Sequence, residues 1–80
     1  MHPKTYETSD LDLSAVLMTA GVSLLDAYRN GDNRTTFSFD DAQERCEVIR
    51  REFAAGTLTQ PSCELLRNLR SLKWKLHQTR

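Results

Sequence analysis

The stretch VSLLDAYRNGDNRTTFSF, residues 22–39, decides the fold. Val22, Leu24, Asp26 and Tyr28 alternate with Ser23, Leu25, Ala27 and Arg29. Beyond NGDN, Thr35, Phe37 and Phe39 alternate with Arg34, Thr36 and Ser38. Period two on both sides of an Asn-Gly step signals a β-hairpin, because the turn's twist matches that of the strands it joins. Phe37 and Phe39 then share one face, and with Leu24 they are expected to point at the elements that cover the hairpin. The stretch has a single glycine, so it is not a glycine-rich phosphate loop.

Upstream, SDLDLSAVLMTAG (residues 9–21) reads as a helix. Leu13, Val16, Leu17 and Ala20 follow the i, i+3, i+4, i+7 spacing of one helical face. Leu11, Ala15 and Met18 widen that face, which predicts a mostly buried helix. Ser9 or Asp10 is placed to cap its first amides, with Asp12 reaching back as in a capping box. Gly21 supplies the left-handed residue that ends it. The hydroxyl of Ser9 and the carboxylates of Asp10 and Asp12 at this helix start are thus explained as a cap. A catalytic role would need a nearby base, metal cluster or second carboxylate, and none is visible.

Downstream, DDAQERCEVIRREFAAG (residues 40–56) predicts a second helix, capped by Asp40 or Asp41 and ended by Gly56. Ala42, Cys46, Ile49 and Phe53 make its buried stripe, and the Glu and Arg residues make a solvated face. After TLTQ, Pro61 sits near the first position of a third helix, where its missing amide is harmless. Leu65, Leu69, Leu72 and Leu76 form a stripe that faces the core or a partner. On a wheel of about 100° per residue, Cys63, Arg67, Arg70, Trp74 and His77 cluster about 120–140° away from those leucines. A tryptophan beside two arginines has the composition of binding hot spots and of single-strand stacking sites. The alternative is that Trp74 covers the core edge while the arginines snorkel around it.

At 80 residues the chain is one domain, and so small a domain buries only about 60–65% of the surface its unfolded chain exposes. Cys46 and Cys63 are too few for a disulfide scaffold, the start MHPKTYETSD has no apolar signal core, and no run approaches a membrane span. These features predict a cytoplasmic protein with reduced thiols and no membrane contact. Oligomerisation, as a homodimer, is the remaining way to bury more apolar surface. Formal charge is zero overall, but −3 over residues 1–40 and +3 over residues 41–80, and after Pro61 the only acid is Glu64. That asymmetry fits two halves of one fold attracting each other, or an acidic partner. His2 and His77 make no zinc spacing with the cysteines. No cofactor, metal or catalytic residue is predicted. Of the two thiols, Cys63 near Arg67 is the better placed for reactivity.

Taken together, YETSDLDLSAVLMTAG, FSFDD, FAAGTL and LLRNLRSLKWKL resemble a family of small phage and bacterial proteins known as a domain of unknown function. The resemblance rests on Tyr6, Thr8, Ser9, Asp10, Leu11, Gly21, Phe37, Phe39, Asp41, Phe53, Gly56, Arg70, Leu72 and Lys73, and it covers nearly the whole chain. It implies a phage, prophage or mobile-element setting and carries no activity or catalytic residue. Trp74 and the two cysteines depart from the family pattern.

The sequence therefore predicts a single α+β domain over residues 1–80, in the order α-β-β-α-α, with a β-hairpin packed against three helices. Residues 1–7 are expected to form a mobile N-terminus. The predicted function is a non-enzymatic protein-interaction module of phage or mobile-element origin, a homodimer whose partner is a host or phage protein. Its candidate partner-binding residues are Arg67, Arg70, Trp74 and His77. The alternative is a weak nucleic-acid binder using the basic third helix.

Overall fold

A computed structural model describes residues 4–31 and 34–78. It is a mixed α/β domain with a three-stranded antiparallel sheet and three helices. The elements run β1 (Thr5–Thr8), α1 (Leu11–Thr19), β2 (Leu24–Arg29), β3 (Thr35–Asp40), α2 (Cys46–Ala55) and α3 (Ser62–Gln78). The order is thus β-α-β-β-α-α, which corrects the α-β-β-α-α reading by one strand. Residues 1–3 lie outside the described residues, but Thr5–Thr8 of the segment assigned to a mobile terminus is paired in the sheet. Four residues are too short to show a period of their own. They become a strand because β3, distant in sequence, offers a partner, with Tyr6 opposite Phe39 and Thr8 opposite Phe37.

The sheet order is β1-β3-β2, so β3 is central and both other strands are edges. Strict alternation along β2 would have put Asp26 and Tyr28 on the face of Leu24. A bulge between Leu24 and Asp26 resets the count, so that Leu24 meets Phe39 and Ala27 meets Phe37. Leu25, the extra residue, is left exposed. Phe37 and Phe39 are buried in one cluster with Leu13, Val16, Leu17, Val22, Cys46, Ile49 and Leu72. The opposite face is polar. Tyr28 on β2 reaches across β3 and donates its hydroxyl hydrogen to the Glu7 carboxylate on β1, and Ser38 and Thr36 are buried on the strand between them.

Helix α1 is held at both ends. Asp10, in extended backbone, accepts from the Leu13 amide at 3.1 Å. Ser9 bonds instead to the Thr36 hydroxyl, and Asp12 lies exposed in the first turn. At the other end Gly21 adopts φ 93°, its amide donates to Met18 and the Val22 amide donates to Leu17. Val22 and Leu17 are both buried, which completes the glycine-terminated hydrophobic cap. Arg45 adds a cation at the same terminus, donating to the Ala20 carbonyl at 2.9 Å.

Helix α2 begins at Cys46, several residues later than DDAQER implies. Asp40 accepts from the Ala42 amide and the Asp41 carbonyl from the Glu44 amide, so these residues close a turn in place of a first helical turn. Glu44 sits at φ 55° in that turn, and its carboxylate pairs with Lys4 at the start of the sheet. Ala42 is consequently exposed in the turn rather than part of a buried stripe. The Asp41 carboxylate reaches past the turn to accept from the Cys46 amide at 3.1 Å. Helices α2 and α3 both pack on α1, without comparable packing on each other among the described residues. No described helix is long and apolar enough to cross a membrane.

Asp10→Ala should lose about 0.5–2 kcal/mol in urea unfolding, whereas Ser9→Ala and Asp12→Ala should stay within about 0.5 kcal/mol. Equal losses at all three positions would contradict the cap assignment.

The Cys46 thiol is pushed up from its ordinary 9.0 to about 12, first by burial and then by its hydrogen bond with the Asp41 carboxylate. The folded state keeps a proton that the unfolded chain releases above pH 9, so stability is full below that pH and falls between 9 and 12. With Cys63 exposed and Cys46 buried, a thiol reagent at neutral pH should label Cys63 quickly and Cys46 only after denaturation. Equal native labelling rates at the two thiols, read by peptide mass, would contradict the structure.

Candidate partner-binding surface

Helix α3 opens after Pro61, whose carbonyl accepts from the Leu65 amide at 3.1 Å. Its rotation is set by what faces inward. Leu72 is fully buried, and Leu65, Leu69 and Leu76 pack against the core cluster. Asn68 locks the same side, donating its amide hydrogen to the Thr19 hydroxyl at 2.9 Å. With one face so committed, the residues Cys63, Arg67, Arg70, Trp74 and His77, spaced 4, 3, 4 and 3, run along the outward face and all are exposed.

Trp74 is 63% exposed and Leu66 52%. Trp74 is therefore not a core-edge residue. Arg67 and Trp74 are two turns apart, about 10–11 Å along the axis, with Arg70 between them. A shallow cavity of about 280 Å³ opens among Cys63, Leu66, Arg67 and Arg70. The ion pairs seen among the described residues join Lys4 to Glu44 and Glu47 to Arg50 and Arg51. None of them neutralises the basic residues of α3. The face thus combines exposed apolar area with planar cations, and Glu64 is the one acid of the helix.

A second feature was not anticipated from the sequence. Because α2 and α3 lean on α1 from two sides, an apolar groove runs between them. One part, about 200 Å³, is walled by Phe53, Leu65, Leu66 and Leu69 over a floor of Ala15 and Val16, with Asp12 at its end. The other, about 300 Å³, shares Val16, Phe53 and Leu65 and extends to Leu58 and Gln60. Gln60 donates to the Val16 carbonyl at 2.9 Å, while its own Oε1 is buried with no protein partner. Phe53, read from the sequence as part of a buried stripe, is 38% exposed in this groove. The signal for it was present in FAAGTL, where a helix stops at Gly56 just after a large aromatic and leaves one side of the ring uncovered.

A polar cleft of about 170 Å³ beside Asp40, Asp41 and Arg45 has a structural explanation, since all three side chains are engaged with backbone groups. Among the described residues, no group of three or more His, Cys, Asp or Glu side chains is placed to hold a metal ion. His2 lies outside the described residues.

Comparison with curated proteins and with solved structures gave no match. Residues 3–77 match the profile of the domain of unknown function DUF5659, and the chain belongs to that family.

Proposed function

We propose that this chain is a non-enzymatic protein-interaction module of phage or mobile-element origin, and that it meets its partner through the outer face of α3. The observation that carries this reading is Trp74, 63% exposed at the centre of a stripe of Arg67, Arg70 and His77. A large aromatic ring held in water forgoes the stabilisation that burial would give it. With Arg67 and Arg70 on the same face, it has the make-up of an interface anchor. The partner is a host or phage protein.

Self-association belongs to the same reading. Among the described residues β1 and β2 each pair on one side only, and β2 is blunted by its bulge, so β1 is the flatter edge for strand pairing between two copies. A second reading, single-stranded nucleic acid, draws on the same Trp74 with Arg67 and Arg70, which take no part in the ion pairs found among the described residues.

Trp74→Ala and Arg67→Ala should leave the thermal midpoint nearly unchanged while each weakens partner capture by about 2 kcal/mol or more. If Trp74→Ala instead lowers stability by about 3–5 kcal/mol, the value for truncating a buried aromatic, the surface reading is wrong. A nucleic-acid partner would reveal itself by a slope of about 2 to 4 in log affinity against log salt, for three or four phosphate contacts.

Light scattering at about 100 µM, well above micromolar affinity, should report a dimer. A strict monomer at that concentration would remove the homodimer.

A further inference from the structure

We infer that the cavity between Arg67 and Arg70 on the outer face of α3 takes a carboxylate from a short acidic segment of a partner protein. This rests on the reading of α3 as the partner-binding helix and adds the partner's chemistry and the point at which it is anchored. The cavity holds about 280 Å³ and is lined by Cys63, Leu66, Arg67 and Arg70. That is below the roughly 300–1,000 Å³ usual for a small-molecule pocket, so its size suits one side chain of a larger partner.

Charge selects that side chain. The charged residues of the lining, Arg67 and Arg70, are both cations. They stand three positions apart, about 4.5 Å along the axis, as neighbours on one side of the helix. Like charges so placed repel, and an anion set between them is attracted by both. Neither arginine takes part in the ion pairs found among the described residues, and Glu64, the one acid of α3, lies outside the lining. A guanidinium presents parallel N–H donors that match the two oxygens of a carboxylate. Leu66, 52% exposed at the same cavity, offers apolar area to the stem of an acidic side chain. Trp74 lies about 6 Å along the axis from Arg70 and about 10–11 Å from Arg67. The occupant therefore joins an acidic residue to an apolar one that packs on the exposed Trp74 ring, a spacing that about two to three residues of extended chain cover.

Nucleic acid fits this cavity less well. The chain has no net charge to draw in a polyanion. Trp74 is the one large aromatic of α3, where single-strand sites line up successive rings along a basic track. A second copy also fits less well, because the carboxylates of Glu7, Asp10, Asp40, Asp41, Glu44 and Glu47 are already engaged within the chain.

The test pans the full folded chain against a yeast-displayed library of random 12-residue peptides. Enriched peptides should pair Asp or Glu with a nearby apolar residue. Arg67→Gln and Arg70→Gln should each weaken them about tenfold or more, the usual loss for a hydrogen bond to a charged group. Lys75→Gln removes the same charge from α3 outside the cavity and should change binding less than about twofold. The double reversal Arg67→Glu with Arg70→Glu should turn the selection towards basic peptides. Circular dichroism checks that each variant is folded, and the reversal carries the test if a Gln variant is not. Peptides of no charge preference, or a selection that ignores the reversal, would overturn the inference. So would a loss with Lys75→Gln equal to that with either arginine, since general attraction to a basic helix would then account for binding. Peptides lost with Trp74→Ala but indifferent to the arginine variants would overturn it while leaving the outer face of α3 as the binding site. No enrichment, or binders indifferent to every α3 variant, would remove both. Competition by a thymidine 20-mer, or a dimer abolished by Arg67→Gln, would give the cavity to nucleic acid or to a second copy and likewise overturn it.

Discussion

The enclosure of α1 is the constraint on which the rest of this domain depends. Leu13, Ser14, Ala15, Val16 and Leu17 are five consecutive buried residues, more than one full turn, so the helix has neighbours around its circumference. A helix of nine residues is not stable alone in water and takes its stability from that packing. It also brings its polar ends into order. Asp10 satisfies an amide at the start, and Gly21, Val22 and Arg45 satisfy carbonyls at the finish. Ser14, buried inside, donates its hydroxyl hydrogen to the Asp10 carbonyl, so the one polar side chain within the run is paired locally.

A buried α1 dictates where the other elements lie. The sheet supplies Phe37 and Phe39 from β3, and α3 supplies Leu72, all within one cluster. The linker before α3 is tied down by Gln60 on the Val16 carbonyl, and α3 by Asn68 on Thr19. Helix α2 shares α1 with α3 without closing onto it, and the apolar groove is what remains between them. The groove is thus a by-product of two helices using one short central helix as their common support.

On the other side of the domain the sheet presents polar groups. Because β3 is central, its outward Ser38 and Thr36 would face solvent alone on a flat sheet. The link between Tyr28 and Glu7 passes over them and joins the two edge strands by side chains. The domain is therefore asymmetric, with a polar sheet face and a helical face bearing Trp74, Leu66 and Phe53 in water. That contrast is why the proposed partner surface is put on the helical side.

Much of this was legible along the chain. The alternation around NGDN is local, and it specified a hairpin. The leucine spacing of α3 separated an inward stripe from Arg67, Arg70, Trp74 and His77. Gly21 and Gly56 marked two helix ends through backbone geometry that only glycine adopts readily. Other features have no local cause. Thr5–Thr8 is a strand only because β3 lies beside it, and β2 keeps Ala27 inward only because a bulge against β3 resets its face. The choice of Asp10 over Ser9 as cap follows from Thr36 claiming Ser9, and the late start of α2 from Asp40 and Asp41 closing a turn. Whether Trp74 was core or surface depended on which neighbours reached its side of α3, and its side stays 63% exposed. Periodicity and turn chemistry act between residues a few positions apart, so the sequence by itself determined the helices, the hairpin and their apolar faces. Pairing, capping choice and exposure depend on atoms brought together from distant positions, so only the tertiary structure decided the third strand, the groove and the open face of α3.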